Sequence, residues 1–291
     1  MDIGVWDILA VIVKAALYAA TFAAAGGAFF LCYTGSILDA GERRTIGRRV
    51  EMCVAAAVAA SALRIMVTAG SMTGDVSGMF DSKLIHMVWQ SGEDSAVITR
   101  IAGLLLSVRA AMPARPSTPL AAAGGAFAAM SFAWVGHAHA TGSFWTVAAI
   151  ALHLVSAAFW IGALGPLAIL ARGGDPRRVG TAAGRFGAAA VAAVGVLTAA
   201  GLFALSRFLG HASALWSSPY GMAMCVKLGF VAGLLSLAAM NKLRLTPRLL
   251  AGDLTAVRSL RASIHAEMAL AALILLTTAA LTTLIGPPAL G

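Results

Sequence analysis

Eight apolar runs divide the chain, at about 5 to 31, 50 to 70, 95 to 112, 119 to 140, 144 to 171, 183 to 206, 219 to 241 and 263 to 285. Each is near the ~20 residues that a helix needs to cross a bilayer. The pattern predicts an all-α polytopic bundle of eight transmembrane helices, a single membrane domain over 1–291. The first run has no basic segment before it and is too long for the apolar core of a signal peptide, so it reads as the first transmembrane helix. No connection is long enough to hold an appended soluble domain, which leaves function to the bundle and its short loops.

Basic residues are sorted between the loops. The run at 5 to 31 is followed by Arg43, Arg44, Arg48 and Arg49, the third by Arg109 and Arg115, the fifth by Arg172, Arg177, Arg178 and Arg185, and the seventh by Lys242, Arg244, Arg248, Arg258 and Arg261. The alternate loops hold Lys83 and Arg207, with Asp75, Asp81, Glu93 and Asp94. Lys and Arg mark the cytoplasmic face, so both termini are expected outside. Composition agrees: 60% of residues are hydrophobic and 11% charged, against roughly a quarter charged in soluble domains. A net charge of +9 would suggest nucleic acid in a soluble protein. Here basic loops beside apolar spans account for it, and nucleic-acid binding is set aside. Three cysteines cannot make a disulfide framework, and Cys32 and Cys53 read as plain thiols near the cytoplasmic face. Gly26-Gly27, Gly124-Gly125, and Gly229 with Gly233 read as helix-packing positions.

Most of the histidine and exposed sulfur falls on the outward side. His137 and His139 stand at the turn after the fourth run; at i and i+2 they share a side only if the chain is unwound there. They read as metal ligands or as two interfacial histidines. His153 lies nine residues into the fifth helix, roughly 13 Å deep at 1.5 Å per residue, with Ser156 and Trp160 on its face. An ionisable group at that depth is a ligand, a proton carrier or half of an interhelical hydrogen bond. The seventh run opens Pro219-Tyr220-Gly221-Met222-Ala223-Met224-Cys225-Val226-Lys227, a soft set suited to Cu(I), although methionine in an apolar helix is usually filler. Met72, Met79, His86, Met87 and His211 add candidates on the same side. Among the charges inside the runs, Lys14, Arg64, Lys227 and Glu267 stand out. Each must pair or face water. Lys227 suits an anion, a carboxylate or a carbonyl, and Glu267, near the inner end of the last run, suits proton or cation transfer or a structural bond.

At these residues the chain resembles the copper resistance D (CopD/PcoD-like) family of bacterial inner-membrane proteins. The ordered set is His153-Leu154, Trp160-Ile161-Gly162-Ala163-Leu164, Arg185-Phe186, Tyr220-Gly221 with Lys227, Asn241 with Pro247, and Glu267 followed by Pro287-Pro288. The pattern is strongest over 150–288. The resemblance implies copper handling at the inner membrane, commonly uptake from the periplasm with a CopC-like copper carrier. The chain departs from the family in lacking a fused carrier domain, and in reading Ser218 and Met222-Ala223-Met224-Cys225 where a Thr and an Arg-Leu-rich stretch are expected.

The sequence reading is therefore a non-enzymatic copper transporter that accepts Cu(I), or Cu(II) reduced on arrival, and passes it inward. His137, His139 and His211 serve the entrance, and His153, Met222, Met224 and Cys225 line the path. Trp160, Lys227 and Glu267 complete it. The rival class is a haem protein of the cytochrome b type, with His139 and His153 as an axial pair. A third reading is a membrane scaffold or assembly factor. No P-loop is visible, so movement would need a gradient or an acceptor.

Overall fold

A computed structural model describes residues 3–111, 117–135, 142–173 and 175–287. Among the described residues there is no strand, and every apolar run falls on helix. The principal helices are α1 (Val5–Thr34), α2 (Ala40–Thr73), α3 (Asp94–Ser107), α4 (Ser117–Met130), α5 (Phe144–Leu170), α6 (Pro176–Leu209), α7 (Pro219–Met240) and α8 (Leu254–Thr283). Six are long and apolar enough to cross a membrane: α1, α2, α5, α6, α8, and α7 with its continuation to Leu250. α3 and α4 have 14 residues each and run into 3-10 turns at Val108–Ala111 and Ser131–Trp134. The third and fourth runs are thus helical but shorter as α-helix than their hydropathy suggests, because hydropathy does not register a change from α to 3-10 winding.

Three helices begin seven to ten residues before their apolar runs, each behind an aspartate cap. Asp39 Oδ1 accepts the Glu42 N–H at 2.8 Å while Glu42 Oε2 accepts the Asp39 N–H at 3.0 Å, a reciprocal capping box. Asp175 accepts the Arg177 N–H at 3.1 Å ahead of Pro176, whose missing N–H costs nothing in a first turn. Asp253 accepts the Thr255 N–H at 2.7 Å. α2 and α6 have 34 residues each, about 51 Å at 1.5 Å per residue, against roughly 30 Å of hydrocarbon. Their basic first turns therefore reach past the apolar layer. There Arg178 bridges Asp39 and Glu42, fastening α6 to the start of α2.

α1 is the centre of the bundle and packs against α2, α4, α5 and α8. Lipid offers helices no hydrophobic drive to associate, so small residues decide how near they come. Gly26 and Gly162 are the α1–α5 crossing: a Cβ on Gly162 would overlap the Phe22 carbonyl oxygen, and one on Gly26 would overlap the Gly162 Cα. Gly103 and Gly124 seat α3 on α4 in the same way, and Gly125 meets Ala25. A Cβ on Gly229 would meet nothing within 4 Å, so the Gly229/Gly233 pair makes no comparable crossing. α6 and α7 lie at the periphery, with most of their apolar windows exposed.

Candidate functional site

His153 enters the bundle from α5, near the end that carries both described termini. Its Nδ1 stands 2.9 Å from the Leu197 carbonyl oxygen on α6. A carbonyl only accepts, so Nδ1 carries the hydrogen, and in the neutral ring Nε2 is left with its lone pair. One turn along α6, a Cβ at Gly201 would sit 3.0 Å from that Nδ1, so the glycine leaves the room the imidazole uses. Lys227 on α7 is within electrostatic range of His153. Ser156 and Trp160 are buried further along α5, so the predicted face exists and turns into the core.

The sulfur cluster divides. Met222 is 54% exposed. Met224 packs against a small core of Leu209, Ala214, Tyr220 and Leu281, and the half-buried Cys225 has its Sγ 3.9 Å from the Leu215 carbonyl oxygen. Only the second and third members of the set therefore turn toward protein. His211 and His86 are exposed, as are Met72 and Met87. Met79 covers Gly70 beside Trp6. His137 and His139 lie outside the described residues, and with them the axial pair of the haem reading. Among the described residues no three His, Cys, Asp or Glu side chains gather into a metal cage.

Arg64, Lys14 and Glu267 each have a partner within the bundle. Arg64 forms an ion pair with Glu93, both side chains about one fifth exposed. Lys14 donates from Nζ to the Thr282 carbonyl oxygen at 2.9 Å, tying α1 to the end of α8. Glu267 is buried and accepts a hydrogen bond from Asn241 Nδ2, whose residue opens the π-helical turn Asn241–Leu245. Glu267 lies 13 residues into α8, about 20 Å from its start, and four residues into the apolar run. Sequence reasoning passed over Arg100. It is 1% exposed, donates from Nε to Ser131 Oγ at 3.1 Å, and lies 4.1 Å above the Phe132 ring. The signal was present: an arginine six residues into a helix whose neighbours are almost all apolar.

Residues 5–146 match the family model described as Copper resistance protein D-like, N-terminal domain, and residues 180–281 match Copper resistance protein D. No curated protein and no solved structure gives a match. The first match ends just inside α5 and the second takes in the end of α6 that receives His153, all of α7 and most of α8. With two family models covering most of its length and six apolar helices able to cross a membrane, the chain belongs to the copper resistance D family, as a multi-pass membrane protein.

Proposed function

We propose that the protein carries copper across the bacterial inner membrane, from periplasm to cytoplasm, as Cu(I), through a relay in which His153 is the deepest donor. The observation that carries this reading is the hydrogen bond from His153 Nδ1 to the Leu197 carbonyl. A metal-ligating histidine characteristically gives its second ring N–H to a carbonyl or carboxylate, which fixes the ring and makes the other nitrogen the better base. The same bond ties the ring to α6 through Nδ1 and leaves Nε2 free of that contact. Met224 and Cys225 supply softer donors nearer the start of α7. The eight-run sequence pattern and the sorting of Arg and Lys support eight spans with both termini periplasmic, α3 and α4 being the two short members. A CopC-like periplasmic carrier is the partner this entry side would meet.

The test is Cu(I) competition binding on the purified chain under reducing conditions, comparing wild type with His153→Gln. Gln keeps a hydrogen-bond donor for Leu197 but replaces the imidazole nitrogen. Loss of Cu(I) affinity of tenfold or more with an unchanged melting temperature supports a ligand. Equal affinity makes His153 an interhelical bond and no more.

A further inference from the structure

Three basic side chains on three different helices share, among the described residues, the single carboxylate of Glu93. Lys14 on α1, Arg64 on α2 and Arg100 on α3 each lie about 9 to 14 Å from the nearest helix end at 1.5 Å per residue. Arg64 and Glu93 are within electrostatic range of both Lys14 and Arg100. Glu93 is already bound to Arg64, and it leads directly from the π-helical turn Trp89–Glu93 into α3. Lys14 and Arg100 have no carboxylate of their own among the described residues. Lys14 leans on the Thr282 carbonyl, and Arg100 on the Ser131 hydroxyl and the face of Phe132. Arg100 Nη2 is buried with no hydrogen-bond partner among the described residues.

Uncompensated cations at this depth are costly, and an orphaned guanidinium N–H inside an apolar bundle is costlier still. A transporter of a metal cation gains nothing from such a field, which repels its cargo. An anion offsets this positive charge and gives the orphaned Arg100 Nη2 an acceptor. Guanidinium is the group best matched to oxyanions, because its planar N–H donors meet two oxygens together.

We propose that Lys14, Arg64 and Arg100 form an oxyanion-binding site of phosphate type between α1, α2 and α3, with Arg100 Nη2 as a donor to the bound anion. Arg64 and Glu93, each about one fifth exposed, are the solvent-accessible members of the site, and Arg100, at 1% exposure, is its buried one. Glu93 holds Arg64 in position and limits the charge of what can enter. The same phosphate chemistry is offered by a free phosphate ion and by the phosphodiester of an anionic lipid.

The site is tested on the full chain in detergent, exchanged free of phosphate and delipidated. Melting temperature is followed against sodium phosphate, with sodium chloride at matched ionic strength, and separately against short-chain phosphatidylglycerol, with phosphatidylcholine of equal chain length as its control. Wild type is expected to show a saturable upward shift with phosphate, phosphatidylglycerol or both. Phosphate alone identifies a free anion as the occupant, and phosphatidylglycerol alone identifies a lipid headgroup. Arg100→Gln and, independently, Lys14→Met should each reduce the shift at least tenfold in half-saturating concentration, while Arg244→Gln, at the basic end, should leave it unchanged. Lys14→Met stands in if Arg100→Gln does not fold, since Lys14 is only partly buried. Shifts that match the chloride and phosphatidylcholine controls, or that persist undiminished in the Lys14 variant, overturn the proposal.

Discussion

His153 Nδ1 meets the carbonyl oxygen of Leu197 at 2.9 Å, across the gap between α5 and α6. That contact uses one ring nitrogen for the scaffold and leaves the other for chemistry. It also borrows a carbonyl that already serves its own helix, and α6 tolerates the imidazole there because residue 201 is glycine. In a bundle whose α6 is so little buried, this polar tie between α6 and α5 has structural weight.

The glycine of the Trp160-Ile161-Gly162 stretch serves the α1–α5 crossing. Gly162→Ala is expected to lower stability by about 1–3 kcal/mol, because the added methyl would overlap the Phe22 carbonyl oxygen and the helices must part. Gly229→Ala, where nothing lies within 4 Å, should be neutral or stabilise by about 0.5–1 kcal/mol. Thermal unfolding of both variants in one detergent checks the pair; a Gly162→Ala protein as stable as wild type would remove the crossing as a constraint.

Exposure sorts the sulfur ligands. Met222→Leu should leave Cu(I) affinity unchanged, since that side chain points away from the bundle, whereas Met224→Leu with Cys225→Ala should weaken it roughly tenfold, or about 1.4 kcal/mol. Competition titration under reducing conditions separates them. A loss confined to Met222→Leu would mean that copper enters along the outer face of α7.

The termini and the loop between α6 and α7 are expected in the periplasm. With Cys32, Cys53 and Cys225 replaced by serine, a cysteine at Ser213 should react with an impermeant maleimide in intact spheroplasts, and one at Arg172 should not. The reverse pattern inverts the topology and moves the His and Met candidates to the cytoplasm.

The α8 cap is pH-sensitive outside the apolar layer. The Asp253 carboxyl is pushed down to about 2 by the Thr255 hydroxyl, by Arg248 and by the Thr255 N–H. Its folded-state value is depressed, so the stabilisation is complete above the ordinary aspartate value near 4 and disappears as pH falls through about 2. Asp253→Asn should melt below wild type at pH 6, with the difference closing between about pH 4 and pH 2. A constant difference across that range would mean that the charge contributes nothing.

Hydropathy located the eight principal helices but measured the apolar layer and not the helix. α2, α6 and α8 start early because Asp39, Asp175 and Asp253 cap polar first turns that lie beyond the lipid, and all three caps could have been found in the sequence as Asp-x-x-Glu, Asp-Pro and Asp-x-Thr. The winding change that shortens α3 and α4 leaves no hydropathy signal. At the site, the depth of His153 and its Trp160 face were legible from spacing alone. Its partner Leu197 was not, because a backbone carbonyl has no residue identity to read. Met222 and Met224 are equivalent by composition, and only the packing of α7 distinguishes them. The pairing of Glu267 with Asn241 joins residues 26 apart through the fold, whereas Arg100 was legible as one charge in an apolar run.

Copper accumulation per folded molecule in cells carrying His153→Ala tests the central claim most directly. Membrane copper uptake is measured alongside the amount of folded protein, so that a stability loss of about 1 kcal/mol from the missing Leu197 bond is divided out. The account predicts that uptake per folded molecule falls to the level of cells without the protein. Wild-type uptake per folded molecule would contradict it and take His153 out of the copper path.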